Sequence, residues 1–244
     1  MNIGFNLQRT VLADGIVIPT SGLRENHTLK HLASNQPLII HTENTNIFLS
    51  KNNAINEARK RGWKRIWLID DDIMEFFYFE LNKSGRNKWF FDISQIEMPE
   101  DTVYGGTRYI SMSNDIIKKE FTDSYSCSGV LYLNLELLDK IEQWPGHTRR
   151  GFEMIPGTRE DLFTGMWLTE AGYKCTHANQ FAHRANTNYK KSHLNADALL
   201  KLGRNSLKIL NNTWPDRNMK KYERGLIYIS ENVLKQMKDN INHG

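Results

Sequence analysis

The sequence contains little cysteine, and its two cysteines are poorly placed for chemistry. Cys127 and Cys175 are too few for a disulfide framework, and neither lies in a CxxC or Cys/His spacing that would indicate a zinc site. We therefore expect buried, reduced thiols and a function that does not depend on cysteine.

Long apolar runs, signal-like segments and internal repeats are also missing from the sequence. No window approaches the roughly 18 consecutive apolar residues of a membrane-spanning helix, and the first residues lack the charged-then-apolar pattern of a secretory signal. These features favour a soluble, cytoplasmic protein without a membrane partner. Because 244 residues suffice for one large core, we expect a single α/β domain spanning residues 1–244.

The chain carries a mild excess of base, with a formal net charge of +4 and a sequence pI of about 8.9. An excess of this size helps a protein approach polyanions but does not identify one. Each basic cluster by itself is typical of a solvated face, whereas the clusters together leave a DNA partner open. They consist of Lys60, Arg61, Lys64 and Arg65, then Arg149 and Arg150, then Arg184, Lys190, Lys191 and His193.

Apolar runs and turn residues predict alternating strands and helices in the first third of the chain. Ser50 is the predicted N-cap of the second helix, and Gly62 ends it. This order predicts a largely parallel sheet covered on both faces, with ligands bound beyond the carboxyl ends of its strands. The predicted elements are a strand from Gly15 broken by Pro19, a helix Arg24–Ser34, a strand Pro37–His41, a helix Ser50–Arg61 and a strand Arg65–Ile69.

Three adjacent carboxylates, Asp70, Asp71 and Asp72, follow the third predicted strand, and we call them the aspartate triplet. They repel one another, and the apolar run Ile73–Phe79 after them limits their contact with water. A hard divalent cation held by one or two carboxylates and by phosphate oxygens would compensate this repulsion. An acidic loop or a helix N-cap explains an isolated triplet about as well. The position at a strand end is therefore what favours a metal site.

Further elements are predicted after the triplet. Tyr104–Arg108, with its two glycines, is typical of a turn. Glu160 and Asp161 open a predicted helix, where acids are common because of the helix dipole, but a carboxylate beside a sugar site can also act as a general base. The other predicted elements are a strand Cys127–Asn134, helices Leu135–Ile141 and Gly157–Gly172, and helical stretches Ala196–Leu210 and Tyr222–Ile241.

This constellation resembles the GT-A glycosyltransferases, whose nucleotide-binding half is such a sheet and whose DxD motif ends a strand. The triplet matches that motif, and the Ser50–Arg59 helix with the later Glu160-Asp161 helix looks like inverting family-2-type enzymes over roughly two-thirds of the chain. The string Trp67–Ile73 is most similar to phage and bacterial TET-associated glycosyltransferases, which are proposed to add sugars to hydroxymethylated pyrimidines in DNA. No Gln-x-x-Arg-Trp motif follows Asp161, which argues against a processive synthase.

The resemblance implies an α/β fold of the GT-A type, with a Rossmann-like, mostly parallel central sheet, flanking helices and a helical C-terminal part. It divides the single domain into a nucleotide-sugar half over about residues 1–110 and an acceptor and catalytic half over about residues 111–195. The helical part would then cover about residues 196–244.

The resemblance also implies roles for individual residues. Asp70 would contact the ribose or a metal, and Asp72 would coordinate the metal directly. Asp161, with Glu160 beside it, would take the proton of the acceptor hydroxyl. Contacts to the nucleotide-sugar would come from Pro19, Thr20, Asn52, Asn53, Arg59, Asp71 and Arg184, with Lys190 and Lys191 near the diphosphate or an acceptor backbone.

A late histidine often supplies another metal ligand in GT-A enzymes. His183 is the residue that we assign to this role, and His177 is its competitor. A single histidine is more often an ordinary surface or hydrogen-bonded residue than a ligand.

The implied reaction moves a sugar from a nucleotide-sugar, with a UDP-sugar as the expected donor and Mn²⁺ or Mg²⁺ as the cofactor. The acceptor hydroxyl would attack opposite the leaving group and invert the anomeric centre. The expected acceptor is a 5-hydroxymethylpyrimidine in phage DNA, such as 5-hydroxymethylcytosine. A base that leaves the stack would rest on Trp89, Phe90, Phe91 or Tyr125, unless these aromatic residues belong to the core.

Three other readings of the sequence stay open. The acceptor would be a saccharide or a lipid in one of them. In another, strand-end aspartates hold the metal of a nucleotidyltransferase or phosphohydrolase, although Thr20–Arg24 is a poor version of the glycine-rich loop that a nucleotidyltransferase needs. A non-catalytic DNA-binding module would account for the basic clusters but not for the aspartate triplet.

Overall fold

The computed structural model describes residues 9–20, 28, 32, 37–41, 47–78, 92–109, 129–141, 160–185 and 196–223. The strands are β1 (Thr10–Val11), β2 (Gly15–Thr20), β3 (Leu38–His41), β4 (Arg65–Ile69), β5 (Ile73–Tyr78), β6 (Met98–Pro99), β7 (Tyr104–Tyr109), β8 (Val130–Asn134) and β9 (Cys175–Ala185). The helices are α1 (Ile47–Lys60), α2 (Leu135–Leu138), α3 (Glu160–Glu170) and α4 (Ala196–Thr213), with 3-10 turns at Ile93–Gln95 and Met219–Tyr222.

The first part of the described chain forms the parallel half of the central sheet. β2 lies between β3 and β4 and pairs with both in parallel. All residues of β4 from Ile66 to Ile69 are buried, because successive side chains point to opposite covered faces. Ile66 and Leu68 pack on the same side as α1, whereas Trp67 and Ile69 belong to the core on the other side. The prediction of a parallel, doubly covered sheet is confirmed for these strands.

The remaining strands make the sheet mixed. Within the described residues the order is β3-β2-β4-β8-β7-β9-β5, and β1 and β6 form a separate two-stranded ribbon. β8 is antiparallel to β4 and β7, and β5 is antiparallel to β9, while β7 and β9 are parallel. Five of the seven strands therefore run in one direction, and the sheet is mostly parallel in an α/β fold.

The segment predicted as a turn at Tyr104–Arg108 is instead part of β7, so that prediction is wrong. β7 is an inner strand between β8 and β9. A Cβ atom built on Gly105 would lie 1.9 Å from the carbonyl oxygen of Thr176 in β9. Glycine is needed at this position because the two backbones approach closely. A glycine in a sequence can therefore mark close strand packing as well as a turn.

Two predicted helix boundaries are also wrong. Helix α1 begins at Ile47, so Ser50 is a buried residue inside the helix rather than its N-cap. Helix α2 ends at Leu138 and not at Ile141, because the N–H groups of Lys140 and Ile141 bond to carbonyls three residues back, which tightens the last turn. The predicted stop at Gly62 is confirmed by its φ of 75°.

The C-terminal helices pack on one another through a separate apolar cluster. The cluster contains Leu162, Phe163 and Met166 of α3 together with Leu210 of α4. The predicted helices Gly157–Gly172 and Ala196–Leu210 correspond to α3 and α4, whereas most of the predicted helix Tyr222–Ile241 and the helix Arg24–Ser34 lie outside the described residues. No helix in the described ranges is long and apolar enough to cross a membrane.

Glu170 at the end of α3 ties this helix to the segment after α4. Its side chain is only 6% exposed and receives hydrogen bonds from Arg217 and Tyr222 as well as an ion pair from Lys221. Burial opposes ionisation, but the hydrogen bonds from Lys221, Tyr222 and Arg217 outweigh it and lower the pKa of Glu170. The three side chains around Glu170 therefore stabilise its ionised carboxylate.

Replacing Glu170 by glutamine is expected to lower the free energy of unfolding by about 2 kcal/mol near neutral pH. Because the pKa is lowered in the folded state, this contribution is present above the unfolded pKa and is lost as the pH falls through the folded one. Urea unfolding of both proteins at about pH 7 and about pH 4 measures it. Glu223→Gln, at an exposed carboxylate nearby, is the control. If the effect of Glu170→Gln is not smaller at the lower pH, stabilisation by the ionised Glu170 carboxylate is contradicted.

Candidate functional site

The carboxyl ends of β2, β3 and β4 meet at one edge of the sheet. Thr20 pairs with His41 at the ends of β2 and β3, and the aspartate triplet follows the end of β4. This edge is where ligands bind in open α/β sheets. The predicted position of the triplet at the end of a buried strand is therefore seen in the structure.

The side chain of Asp71 points into the protein. Its side chain is 2% exposed, and the hydroxyl of Thr20 donates a hydrogen bond of 2.6 Å to its Oδ2 atom. Thr20 and Asp71, which we predicted as separate donor contacts, are thus bonded to each other. This bond joins the end of β2 to the turn after β4.

Thr28 holds the backbone of the triplet, a role that the sequence did not reveal. The residue is fully buried, and its hydroxyl donates to the carbonyl of Asp70 at 2.6 Å while accepting the N–H of Ile73 at 3.1 Å. Its own N–H donates to the carbonyl of Asp71 at 3.4 Å. One side chain therefore bridges the turn between β4 and β5.

Asp70 forms an ion pair with a buried lysine of α1. Its Oδ1 atom lies 3.4 Å from Nζ of Lys51, and the side chains are 24% and 3% exposed respectively. We did not predict Lys51, although it falls on the same helical stripe as Ala54, Ile55 and Ala58, the buried face of α1. A lysine on an otherwise apolar stripe is the signal that would have found it.

Gly129 packs against Asp70 from the start of β8. Its φ is 88°, and its carbonyl accepts the N–H of Asp70 at 2.8 Å. A Cβ atom there would lie 3.4 Å from Oδ2 of Asp70 and 3.0 Å from Cδ1 of Ile73. Both the conformation and the space therefore favour glycine at this position.

Asp70 and Asp72 are the members of the triplet that a cation can reach. Both side chains keep partial exposure while Asp71 is buried. Among the residues that the structure describes, no group of three or more His, Cys, Asp or Glu side chains is arranged to hold a metal. A cation at this edge would thus be bound by one or two carboxylates and otherwise by substrate phosphate and water, which is the way Mg²⁺ is commonly held.

His183 is not assembled with these carboxylates into a metal-ligand group. The residue is fully buried in β9, where it is in register with Phe76 of β5 and Tyr109 of β7. Its Nδ1 atom lies 2.6 Å from the hydroxyl oxygen of Thr107. His177, the competing histidine, is partly buried in the same strand. The geometry fits the hydrogen-bonded alternative better than the ligand role.

Arg184 forms a cross-strand ion pair beside the triplet. Its Nη1 atom lies 3.2 Å from Oε2 of Glu75, and the neighbouring register pair joins Ala185 to Ile73, which directly follows Asp72. Arg184, the predicted diphosphate contact, therefore lies near the triplet along β5, and its guanidinium is paired with the carboxylate of Glu75.

The predicted donor contacts on α1 lie on different parts of the helix. Asn53 lines an open cleft of about 660 Å³ between α1 and β3, and Asn52 is partly buried next to Lys51. Arg59 pairs with Asp139 near the other end of the helix, about 12 Å along the axis from Lys51. The structure therefore separates Arg59 from the triplet. Pro19 is buried in β2 opposite Ile40.

Asp161 is buried in the first turn of α3. The residue is 7% exposed, and its backbone carbonyl accepts a hydrogen bond of 2.9 Å from the hydroxyl of Tyr104. Tyr104 lies in β7, two strands from β4, which is a lateral spacing of about 10 Å. The side chain of Glu160 lies outside the described part of the structure, as do Trp89, Phe90, Phe91, Tyr125, Lys190 and Lys191.

Cys175 is a free thiol, as expected, but the residue is partly rather than fully buried. It forms no disulfide, and burial raises the pKa of the thiol to about 11. The thiolate is therefore scarce at neutral pH. Cys127 lies outside the described residues.

Comparisons with known proteins leave the family open. No protein-family model and no curated protein matches the chain. Among solved structures, one that is similar is the crystal structure of a Desulfovibrio desulfuricans G20 protein described provisionally as a nucleotide-diphospho-sugar transferase. The match has a TM-score of 0.31 and 10% identity and covers 86% of this chain and 70% of the other. A similarity of this size does not establish a shared fold.

Proposed function

We propose that this protein is a metal-dependent glycosyltransferase that takes a sugar from a nucleotide-sugar, with a UDP-sugar as the first candidate. The observation that supports this function best is the arrangement of the triplet at the carboxyl edge of the sheet. Asp71 is bonded inward to Thr20, whereas Asp70 and Asp72 are partly exposed. Two carboxylates with a lysine beside one of them match the needs of a cation and a diphosphate.

The side chains of the triplet have separate tasks in this proposal. Mn²⁺ or Mg²⁺, held by Asp72 and Asp70, would supply positive charge where the leaving nucleoside diphosphate becomes more negative. Lys51 fixes the position of the Asp70 carboxylate through the ion pair. Thr20, Asp71 and Thr28 hold the turn rigid, so that the two exposed carboxylates do not need to reorganise when the donor binds.

Asp161 is proposed as the base that accepts the proton of the acceptor hydroxyl, with Glu160 as its alternative. Its backbone is anchored on Tyr104, and its buried position next to an apolar cluster favours a base that is poorly solvated. Attack of the acceptor oxygen on the face opposite the diphosphate would invert the anomeric carbon.

The proposed acceptor is a 5-hydroxymethylpyrimidine in DNA. The resemblance of the Trp67–Ile73 string and the basic balance of the chain support this choice. A saccharide or lipid acceptor would use the same donor chemistry. Mass spectrometry of nucleosides from hydroxymethylated DNA, incubated with the protein and a panel of UDP-sugars, tests the acceptor directly, since no mass gain with any donor contradicts it.

Thermal unfolding tests the donor site. UDP with Mn²⁺ is expected to raise the melting temperature by several degrees, and UDP alone by less, because Asp70 and Asp72 would hold the cation and its charge would stabilise the bound diphosphate. A protein stabilised by nucleoside triphosphates but not by UDP would indicate a nucleotidyltransferase. Stabilisation by duplex DNA without any nucleotide effect would indicate a binding module.

Replacing Asp161 by asparagine is expected to lower sugar transfer at least a hundredfold while leaving binding of UDP and Mn²⁺ nearly unchanged. The amide keeps the size of the side chain but cannot accept the proton. Transfer is measured by mass spectrometry and binding by thermal shift, with Asp216→Asn at an exposed surface carboxylate as the control. Transfer retained within tenfold would remove Asp161 from the base role.

A further inference from the structure

Helix α4 carries a row of cations on its outer face. Lys201, Arg204 and Lys208 are all exposed and lie three and four residues apart, so they form one stripe about 10 Å long. Exposed amides extend the same face at Asn205 and Asn212. The sequence has no acidic residue between Asp197 and Asp216. We call the three cations the α4 basic stripe.

Several other basic side chains are paired with carboxylates, whereas in the part of the chain that the structure describes the stripe residues are not. Lys60 pairs with Glu57, Lys64 with Glu136, and Lys174 with Asp101. Arg59 and Arg217 likewise have carboxylate partners. Within the described ranges, no ion pair or hydrogen bond involves the side chain of a stripe residue. Lys60 and Lys64 of the basic cluster at residues 60–65 are therefore partly neutralised by these carboxylates.

The inner face of α4 is already occupied. Leu207, Ile209 and Leu210 pack against α3 and the segment that follows α4. Trp214 packs against Trp167 with ring centroids 4.7 Å apart and the ring planes tilted by 58°, which fixes the end of α4 on α3. A helix that binds a membrane surface needs a free apolar face to insert between lipids. The partner of the stripe is therefore recognised by charge and hydrogen bonding at the outer face.

We propose that the α4 basic stripe binds the phosphate backbone of a nucleic acid. Three cations along about 10 Å match the charge of a duplex strand, which presents a phosphate about every 3.4 Å along its axis. The interleaved amides supply additional donors for phosphate oxygens without reading bases. The inference rests on the proposed function for its purpose, because a surface of this kind would hold a DNA acceptor while a base is modified. Binding itself does not need the donor.

Fluorescence anisotropy with a duplex of about 20 base pairs, without nucleotide-sugar, tests the proposal over roughly 50–200 mM salt. The triple variant Lys201→Gln, Arg204→Gln, Lys208→Gln is expected to bind at least tenfold more weakly. The slope of log affinity against log salt should become less negative by about 2.7, which is 0.9 for each of three lost phosphate contacts. The single variant Lys201→Gln should lower the slope by about 0.9 and serves if the triple variant is unstable.

The control variant Lys60→Gln, Lys64→Gln, Lys140→Gln changes the net charge by the same amount at exposed positions elsewhere. Equal binding by the triple variant and the wild type, or an equal loss in the control, overturns the proposal. Tighter stripe-dependent binding to phosphatidylserine vesicles than to DNA also overturns it.

UDP-sugar hydrolysis is measured on the same wild-type sample. Hydrolysis without DNA binding overturns this inference alone, and DNA binding without hydrolysis overturns the proposed transferase alone.

Discussion

Replacing Asp72 by alanine is expected to lower Mn²⁺-dependent hydrolysis of a UDP-sugar at least a hundredfold. Asp72 is partly exposed at the turn after β4, and it is the member of the triplet with the most direct role at a bound cation in our proposal. Loss of a group that places charge next to a leaving oxygen costs about 10² to 10³ in rate in comparable sites. Initial rates of UDP release with saturating Mn²⁺ measure the effect.

Two further variants separate charge from shape at this position. Asp72→Asn keeps the volume and loses the negative charge, so it should resemble Asp72→Ala if the residue binds a cation. Asp216→Ala, at an exposed carboxylate outside the sheet edge, should hydrolyse the donor at the wild-type rate. Hydrolysis by Asp72→Ala at the wild-type rate would remove the metal role, and a change in Asp216→Ala of similar size would show a non-specific effect.

Replacing Lys51 by methionine is expected to lower the free energy of unfolding by about 3 kcal/mol. The lysine is 3% exposed and its Nζ atom faces Asp70 at 3.4 Å, so its removal leaves a poorly solvated carboxylate without its partner. Methionine keeps most of the apolar contacts of the side chain and removes only the charge. Urea unfolding at neutral pH measures the loss.

Lys60→Met is the matched control for this prediction, because Lys60 is on the same helix but 71% exposed and paired only with Glu57. A surface pair of this kind contributes about 0–1 kcal/mol. Adding Asp70→Asn to Lys51→Met should restore part of the lost stability, since the carboxylate that lost its partner is then neutral. An effect of Lys51→Met no larger than that of Lys60→Met would contradict the buried ion pair.

Hydrophobic patterning predicted the parallel half of the sheet because its strands are buried on both faces. Arg65–Ile69 is nearly all apolar and only five residues long, a length that favours a buried strand over a helix. The same signal was weaker for β7, where the glycines that allow close contact with Thr176 look like turn residues. Propensity also misplaced the start of α1, because a serine inside a helix and a serine at its N-cap are identical in sequence.

The candidate site was predicted in outline and not in its internal contacts. The position of the triplet at a strand end follows from local sequence, whereas the partners of its side chains come from distant segments. Thr20 reaches Asp71 across 51 residues of chain, and Thr28 reaches Asp70 across 42. Pairings over such distances depend on how the strands and loops are arranged in space, which no local pattern encodes.

The sequence by itself therefore determined that the chain has a buried strand ending in three carboxylates at the ligand edge of an α/β sheet. Only the tertiary structure decided what each carboxylate does. Asp71 is bonded inward to Thr20, Asp70 is paired with Lys51, and Asp72 stays partly exposed. The physical reason is that a strand end sets the location of a side chain, but burial and hydrogen bonding to other segments set its direction and charge environment.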